Sequence, residues 1–168
     1  MAAEAASIVP DHAAEAMERR RDAHLFRGWF IDKFAQLEQA LSPVLVDAAA
    51  RPEFTALNPR YPHLAGQKFE RLRHIAEAKT SHSFDTKRVL KLLDQLREFE
   101  ALRGFLAHGT VETARSDAGH DLFIYRLIRY PAAGPQTDQL VLTADEATAH
   151  RKRLQSLIDA LISQLSRR

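Results

Sequence analysis

The sequence predicts a mainly α fold, an up-and-down helical bundle of four to five helices with a short antiparallel β-hairpin before the last helix. Apolar residues recur at spacings of three and four over long stretches, which is the period of a helix with one buried face. Residues 122–130, Leu-Phe-Ile-Tyr-Arg-Leu-Ile-Arg-Tyr, break that period with β-branched and aromatic side chains, and Leu140 to Leu142 form a second short apolar run. Next comes Thr143-Ala-Asp-Glu146, a capping-box pattern in which the threonine hydroxyl accepts from a backbone N–H of the first turn and the glutamate reaches back.

In chain order, the Ala-rich start with Pro10 is expected to fray, and residues 1–18 are read as a flexible lead-in to one domain over 19–168. The helical pattern sets in from about Asp11 and is carried by Phe26, Phe30, Phe34, Leu37 and Leu41. Ser42-Pro43 either kinks this helix or restarts it, because serine caps helices and proline is tolerated at a first helical position. Pro52, Pro59 and Pro62 exclude a regular helix over residues 51–63 and mark the main loop. Leu64, Lys68, Leu72, Ile75 and Ala76 resume a helical stripe that ends in the segment Thr80 to Phe84. A third helix starts near Asp85, runs through Val89, Leu92, Leu93, Leu96, Phe99, Leu102 and Leu106, and is expected to stop at Gly109 as a C-terminal cap. The β excursion occupies about 121–142, with Pro131, Gly134 and Pro135 in its loop. The final helix carries Leu154, Leu157, Ile158, Leu161, Ile162 and Leu165.

At 168 residues with 45% hydrophobic side chains, the chain suits one domain with a buried core. The lack of cysteine excludes disulfides, thiolate nucleophiles and Cys-based metal sites, and suits a reducing, cytoplasmic compartment. The formal net charge of +2 is far from a histone-like balance. Its distribution is uneven: Glu4, Asp11, Glu15 and Glu18 precede any basic residue, whereas Arg151, Lys152, Arg153, Arg167 and Arg168 face only Asp159 near the other end. No apolar run approaches the ~20 residues of a membrane span, so no membrane partner is expected.

The third helix holds one conspicuous cation. On a helical projection at ~100° per residue, with Leu92 at zero, Leu96 falls at about 40°, Phe99 at about 340°, Leu106 at about 320° and Arg103 at about 20°. A guanidinium does not lose its proton, so one in the middle of an apolar stripe calls for an anion or a wet cleft opposite it. An internal ion pair with Glu100 or Glu38 would serve, and so would a bound phosphate. His108 lies roughly 7.5 Å further along the axis and about 140° round from Arg103, so a frayed last turn or a second copy of the chain would be needed to unite the two. A histidine at a helix C-terminus also has a plain explanation, since the helix dipole favours its charged form there.

Arg103 and His108 stand in Leu102-Arg103-Gly104-Phe105-Leu106-Ala107-His108-Gly109, and this segment resembles the signature of HEPN domains. That signature is an arginine, commonly followed by asparagine, with a histidine closing the motif near the end of a late helix, often as Arg-Asn-x-x-Ala-His-Gly. Arg103, Ala107, His108 and Gly109 match with the Arg-x4-His spacing intact, and the order of elements over roughly residues 20–166 is similar too. Gly104 stands where the family usually has asparagine, so the side-chain amide is missing there.

The resemblance implies a metal-independent endoribonuclease, with no cofactor, of a toxin or phage-defence system, or else a non-catalytic dimerising module that binds RNA or protein. In the active members two protomers face each other and both copies line one cleft. Arg103 would then bind the scissile phosphate and His108 would move protons, so that the ribose 2′-OH attacks and a 2′,3′-cyclic phosphate results. A homodimer, an RNA substrate and an antitoxin or nucleotidyltransferase partner belong to that expectation. Lys91, Arg97, Arg151, Lys152 and Arg153 are the basic residues that could hold flanking phosphates, although a charge run on a helix commonly just faces solvent.

Other chemistries find little support. None of the eight histidines forms a His-x3-His pair, and His120, between Asp117 and Asp121, reads as loop decoration. There is no Gly-x-Gly, no Gly-Lys-Ser/Thr and no serine-nucleophile signature. Trp29, beside the phenylalanine stripe, reads as core or subunit interface.

Overall fold

Among the described residues, four α-helices and a three-stranded antiparallel sheet before the last helix make a mainly α structure, as expected. The computed structural model describes residues 5–54, 65–78, 83–132 and 134–166, with side chains from Ala13 onward. Along the chain come α1 (Ala5–Ala49), a 3-10 turn (Pro52–Phe54), α2 (Ala65–Glu77), α3 (Thr86–His108), β1 (Thr110–Arg115), β2 (Asp121–Arg129), β3 (Gln136–Thr143) and α4 (Ala144–Leu165).

Three expectations need correction. The span 5–18, read as a flexible lead-in, is already helical and belongs to α1. Of the two outcomes expected at Ser42-Pro43, the restart is ruled out, because the helix is continuous through both residues. A proline inside a helix removes one backbone bond and costs about 3 kcal/mol. The buried Leu41 and Leu45 on either side offset this, and Ser42 Oγ donates to Glu38 O at 2.9 Å. Thirdly, the expected hairpin is the second half of a three-stranded sheet, because β1 follows α3 directly and pairs with β2. Its sequence, Thr-Val-Glu-Thr-Ala-Arg, has one large apolar side chain and so lacks the density that marks a strand. Leu64, Thr80 and most of the 51–63 loop lie outside the described residues.

The chain divides into two compact units, residues 1–31 with 102–151, and residues 32–101 with 152–168. The second unit is helical. Phe34, Leu37, Leu41 and Leu45 of α1, Phe69, Leu72 and Ile75 of α2, Val89, Leu93 and Leu96 of α3, and Leu154, Ile158 and Leu161 of α4 are buried in it. Phe34 and Phe69 meet with ring centroids 6.5 Å apart. Lys68, on the buried face of α2, reaches Glu38 of α1 at 3.3 Å. Asp85 caps α3, its carboxylate accepting from Arg88 N at 3.1 Å.

The first unit sets the sheet on α1. Phe123 and Tyr125, on one face of the central strand, are buried, and Phe123 stands between Thr113 and Leu142 in the pairing register. The Tyr125 hydroxyl donates to Ala23 O of α1 at 3.0 Å. Further out, Arg115 of β1 reaches Glu15 of α1 at 3.0 Å. The β1–β2 turn closes through Gly119 N donating to Ser116 O at 2.8 Å, and Gly119 takes φ +81°, which an L side chain rarely adopts. His120 belongs to this turn, its N–H donating to Ser116 Oγ at 3.0 Å.

The start of α4 bears out the capping box. Glu146 N donates to Thr143 Oγ1 at 3.1 Å, while Thr143 N and its hydroxyl both donate to Glu146 Oε2, at 2.8 and 3.0 Å. These bonds hold the Glu146 carboxyl below the usual carboxylate range, with a smaller contribution from His150. A lowered carboxyl pKa in the folded state gives stability that is present above the ordinary glutamate value and lost as pH falls through the folded value. Thr143→Ala should cost about 1 kcal/mol at neutral pH. Glu146→Gln should flatten the loss of stability below about pH 4.3, the ordinary glutamate value, as read from melting temperatures across an acid series.

Candidate functional site: the C-terminal turn of helix α3

Arg103 and His108 both sit in the part of α3 that belongs to the first unit. Leu102 and Leu106 pack inward there, and the same face carries Arg103, which is half-buried and held by other interactions. Of the two carboxylates considered for it, Glu38 pairs with Lys68 and takes part in further interactions as well. Glu100 lies against Gly66, where a Cβ would come within 3.2 Å of its Oε1.

His108 is the last residue of α3 and its side chain is exposed. The backbone on either side of it is held. Arg27 of α1 donates through Nη2 to Ala107 O and through Nη1 to Gly109 O, each at 3.1 Å. These are C-terminal carbonyls that the helix leaves without partners, and a cation is favoured at this negative end. Gly109 N donates to Phe105 O at 2.8 Å, which keeps the helical pattern to the last residue.

Gly109 therefore acts differently from the C-terminal cap the sequence suggests. It is absent from the positive-φ glycines, which are Gly119 and Gly134. Space is what it supplies: a Cβ would lie 2.6 Å from Phe105 O and 3.0 Å from Arg126 O of β2. The strand backbone packs directly onto this glycine, and β1 leaves it in the next residue. Gly104 is the opposite case, with nothing within 4 Å of a Cβ.

Sequence reasoning missed Arg27 and Tyr125. The signal for Arg27 is the one that singled out Arg103. With Phe30 at zero, Phe26 falls at about −40° and Phe34 at about 40°, and Arg27 at about 60° on the rim of the same stripe. Tyr125 lies close enough to the Arg27 guanidinium to feel its charge. Burial nevertheless dominates and pushes the phenol well above its ordinary value, so it stays a neutral hydrogen-bond donor.

The basic residues proposed from the sequence lie on two helices, Lys91 and Arg97 on α3 and Arg151, Lys152 and Arg153 on α4. Arg151, in the first unit, lies over the Trp29 ring at 5.0 Å from its centroid. Lys91, Arg97, Lys152 and Arg153 are exposed on the helices of the second unit. Arg97 pairs with Glu70 at 3.2 Å, and Arg153 pairs with Glu98 and lies over Phe99. Arg97 and Arg153 thus form inter-helix surface pairs, each worth little by itself.

Two hollows in the first unit include neither Arg103 nor His108. One, of about 190 Å³, lies between α1 and the start of α4, with Asp22, Phe123 and Arg151 in its wall. The other, of about 450 Å³ and widely open, lies between Met17 and Arg20 of α1 and Glu112 of β1. Among the described residues no three His, Asp or Glu side chains assemble into a metal-binding group. Among the same residues, no helix is long and apolar enough to cross a membrane. Comparison with protein-family models, with curated proteins and with solved structures found no match.

Proposed function

We propose that the protein is a HEPN-like, metal-independent endoribonuclease, a component of a cytoplasmic toxin or phage-defence system. The observation that supports this reading best is the end of α3, where an exposed imidazole stands on a turn whose flanking carbonyls are both held by Arg27. Such a group is free to meet a substrate and is carried on a fixed support.

In the proposed reaction His108 takes the proton of a ribose 2′-OH, the 2′-oxygen attacks the adjacent phosphorus, and the P–O5′ bond breaks. The leaving 5′-oxygen is protonated by the second histidine of a homodimer, giving a 2′,3′-cyclic phosphate and a 5′-OH. Arg103 stabilises the charge that builds on the phosphoryl oxygens. DNA lacks the internal nucleophile and is not a substrate. An antitoxin or nucleotidyltransferase that restrains the activity is the partner this reading implies.

A second reading, a non-catalytic dimerising module that binds RNA or protein, draws on two observations. Arg97 and Arg153 already face glutamates, and Gly104 supplies no side-chain amide beside Arg103. The two readings separate in one experiment. Purified protein is incubated with a mixed RNA substrate in excess EDTA and the product ends are identified. Endonuclease action predicts cyclic-phosphate ends and a loss of about 10²–10⁴-fold in rate for His108→Ala and for Arg103→Ala. Intact RNA in every preparation, with binding still measurable, would leave the module reading standing.

A further inference from the structure

We infer that Arg27 is a positioning residue for His108, acting through the backbone of the last turn of α3. The inference rests on the nuclease reading, since it assigns a role within that same site. Three features of the structure carry it.

First, the geometry is bidentate and brackets the histidine. One planar guanidinium meets the carbonyls of residues 107 and 109 at equal distances of 3.1 Å, and the residue between them is His108. A fork of this kind fixes two peptide planes at once, which a lysine ammonium at the same place cannot do. Second, the backbone of β2 also lies against the turn, because Arg126 O stands 3.0 Å from where a Gly109 Cβ would be. The turn therefore has little freedom to move. Third, Arg27 is itself anchored. Its side chain is half-buried on α1, and one turn earlier Ala23 O accepts the Tyr125 hydroxyl, which ties that stretch of α1 to the central strand.

The consequence is a division of labour. The His108 imidazole is exposed and gains no fixed orientation from packing, so its placement comes from its main chain. A general acid or base loses effectiveness when it is displaced by about 1 Å. Arg27 thereby governs the rate of the chemical step without touching RNA.

The test uses the full-length protein with Arg27→Gln and Arg27→Lys, with circular dichroism and melting curves recorded first so that unfolded variants are recognised. Two readouts follow. Amide hydrogen exchange should show the Gly109 N–H exchanging at least ~10-fold faster in Arg27→Gln, with an intermediate value in Arg27→Lys. RNA cleavage should lose ~10-fold or more in kcat in Arg27→Gln with KM changed by less than about threefold, and Arg27→Lys should recover part of that loss. Unchanged exchange at Gly109 overturns the inference, and so does a wild-type kcat in a variant whose exchange has accelerated. If Arg27→Gln does not fold, the same criteria are applied to Arg27→Lys. Failure of the nuclease reading is recognised separately: the wild type then leaves RNA intact, and the positioning role falls with it even where exchange accelerates.

Discussion

Gly109→Ala is expected to destabilise the protein by about 2–3 kcal/mol, whereas Gly104→Ala, five residues earlier and within α3, should stabilise it by up to about 1 kcal/mol. The contrast comes from what a new methyl would meet. At 109 it would lie 2.6 Å from Phe105 O and 3.0 Å from Arg126 O, and both are main-chain atoms that no rotamer change can move aside. Relief requires the end of α3 to withdraw from β2, which would also strain the two hydrogen bonds from Arg27. At 104 the methyl would point into open space, so the effect is the ordinary gain in helix propensity from replacing glycine. Thermal melts should show Gly109→Ala lower by about 4–12 °C, at 2–4 °C per kcal/mol for a chain of this size, and Gly104→Ala level or higher. Equal melting temperatures for the two variants would contradict the packing described here.

The second large effect belongs to the pair buried between α1 and α2. Lys68 retains 9% of its accessible surface, and its ammonium faces the Glu38 carboxylate at 3.3 Å. An ion pair in such a place is close to neutral as a pair, because desolvation of both charges offsets their attraction. Taking away one partner costs far more, about 3–5 kcal/mol when burial is complete. With some solvent reaching both groups, Glu38→Ala should cost about 2–4 kcal/mol. Lys68→Met should also destabilise, since it takes this partner away from the Glu38 carboxylate. Chemical denaturation of the two variants measures the difference. A Glu38→Ala variant as stable as wild type would show that the pair does not hold these helices.

Much of this architecture is legible in the sequence. In α3 the residues Val89, Leu92, Leu93, Leu96, Phe99, Leu102 and Leu106 repeat at helical spacing, and every one of them is buried. The cap at Thr143 and Glu146 is made by the atoms the four-residue pattern names. The same arithmetic that marks Arg103 as a cation on an apolar face applies to Lys68, whose charge in the apolar stripe of α2 likewise calls for a partner. For the candidate site, the motif placed Arg103 and His108 at the end of α3. It said nothing of what supports that end.

The reason for the boundary is the range of the interactions. By itself the sequence determined the helices, the hairpin and the capping box, because these follow from the burial period and hydrogen-bonding habits of neighbouring residues. The tertiary structure decided the rest. The strand status of 110–115 depends on its partner β2, since its own side chains are too polar to declare it. Arg27 finds its carbonyls 80 and 82 positions away, and the space that requires glycine at 109 is defined by a strand that the local sequence does not contain. Lys68 and Glu38, 30 positions apart, are joined only when α1 and α2 pack. Each of these depends on atoms brought together by folding, and no local pattern encodes them.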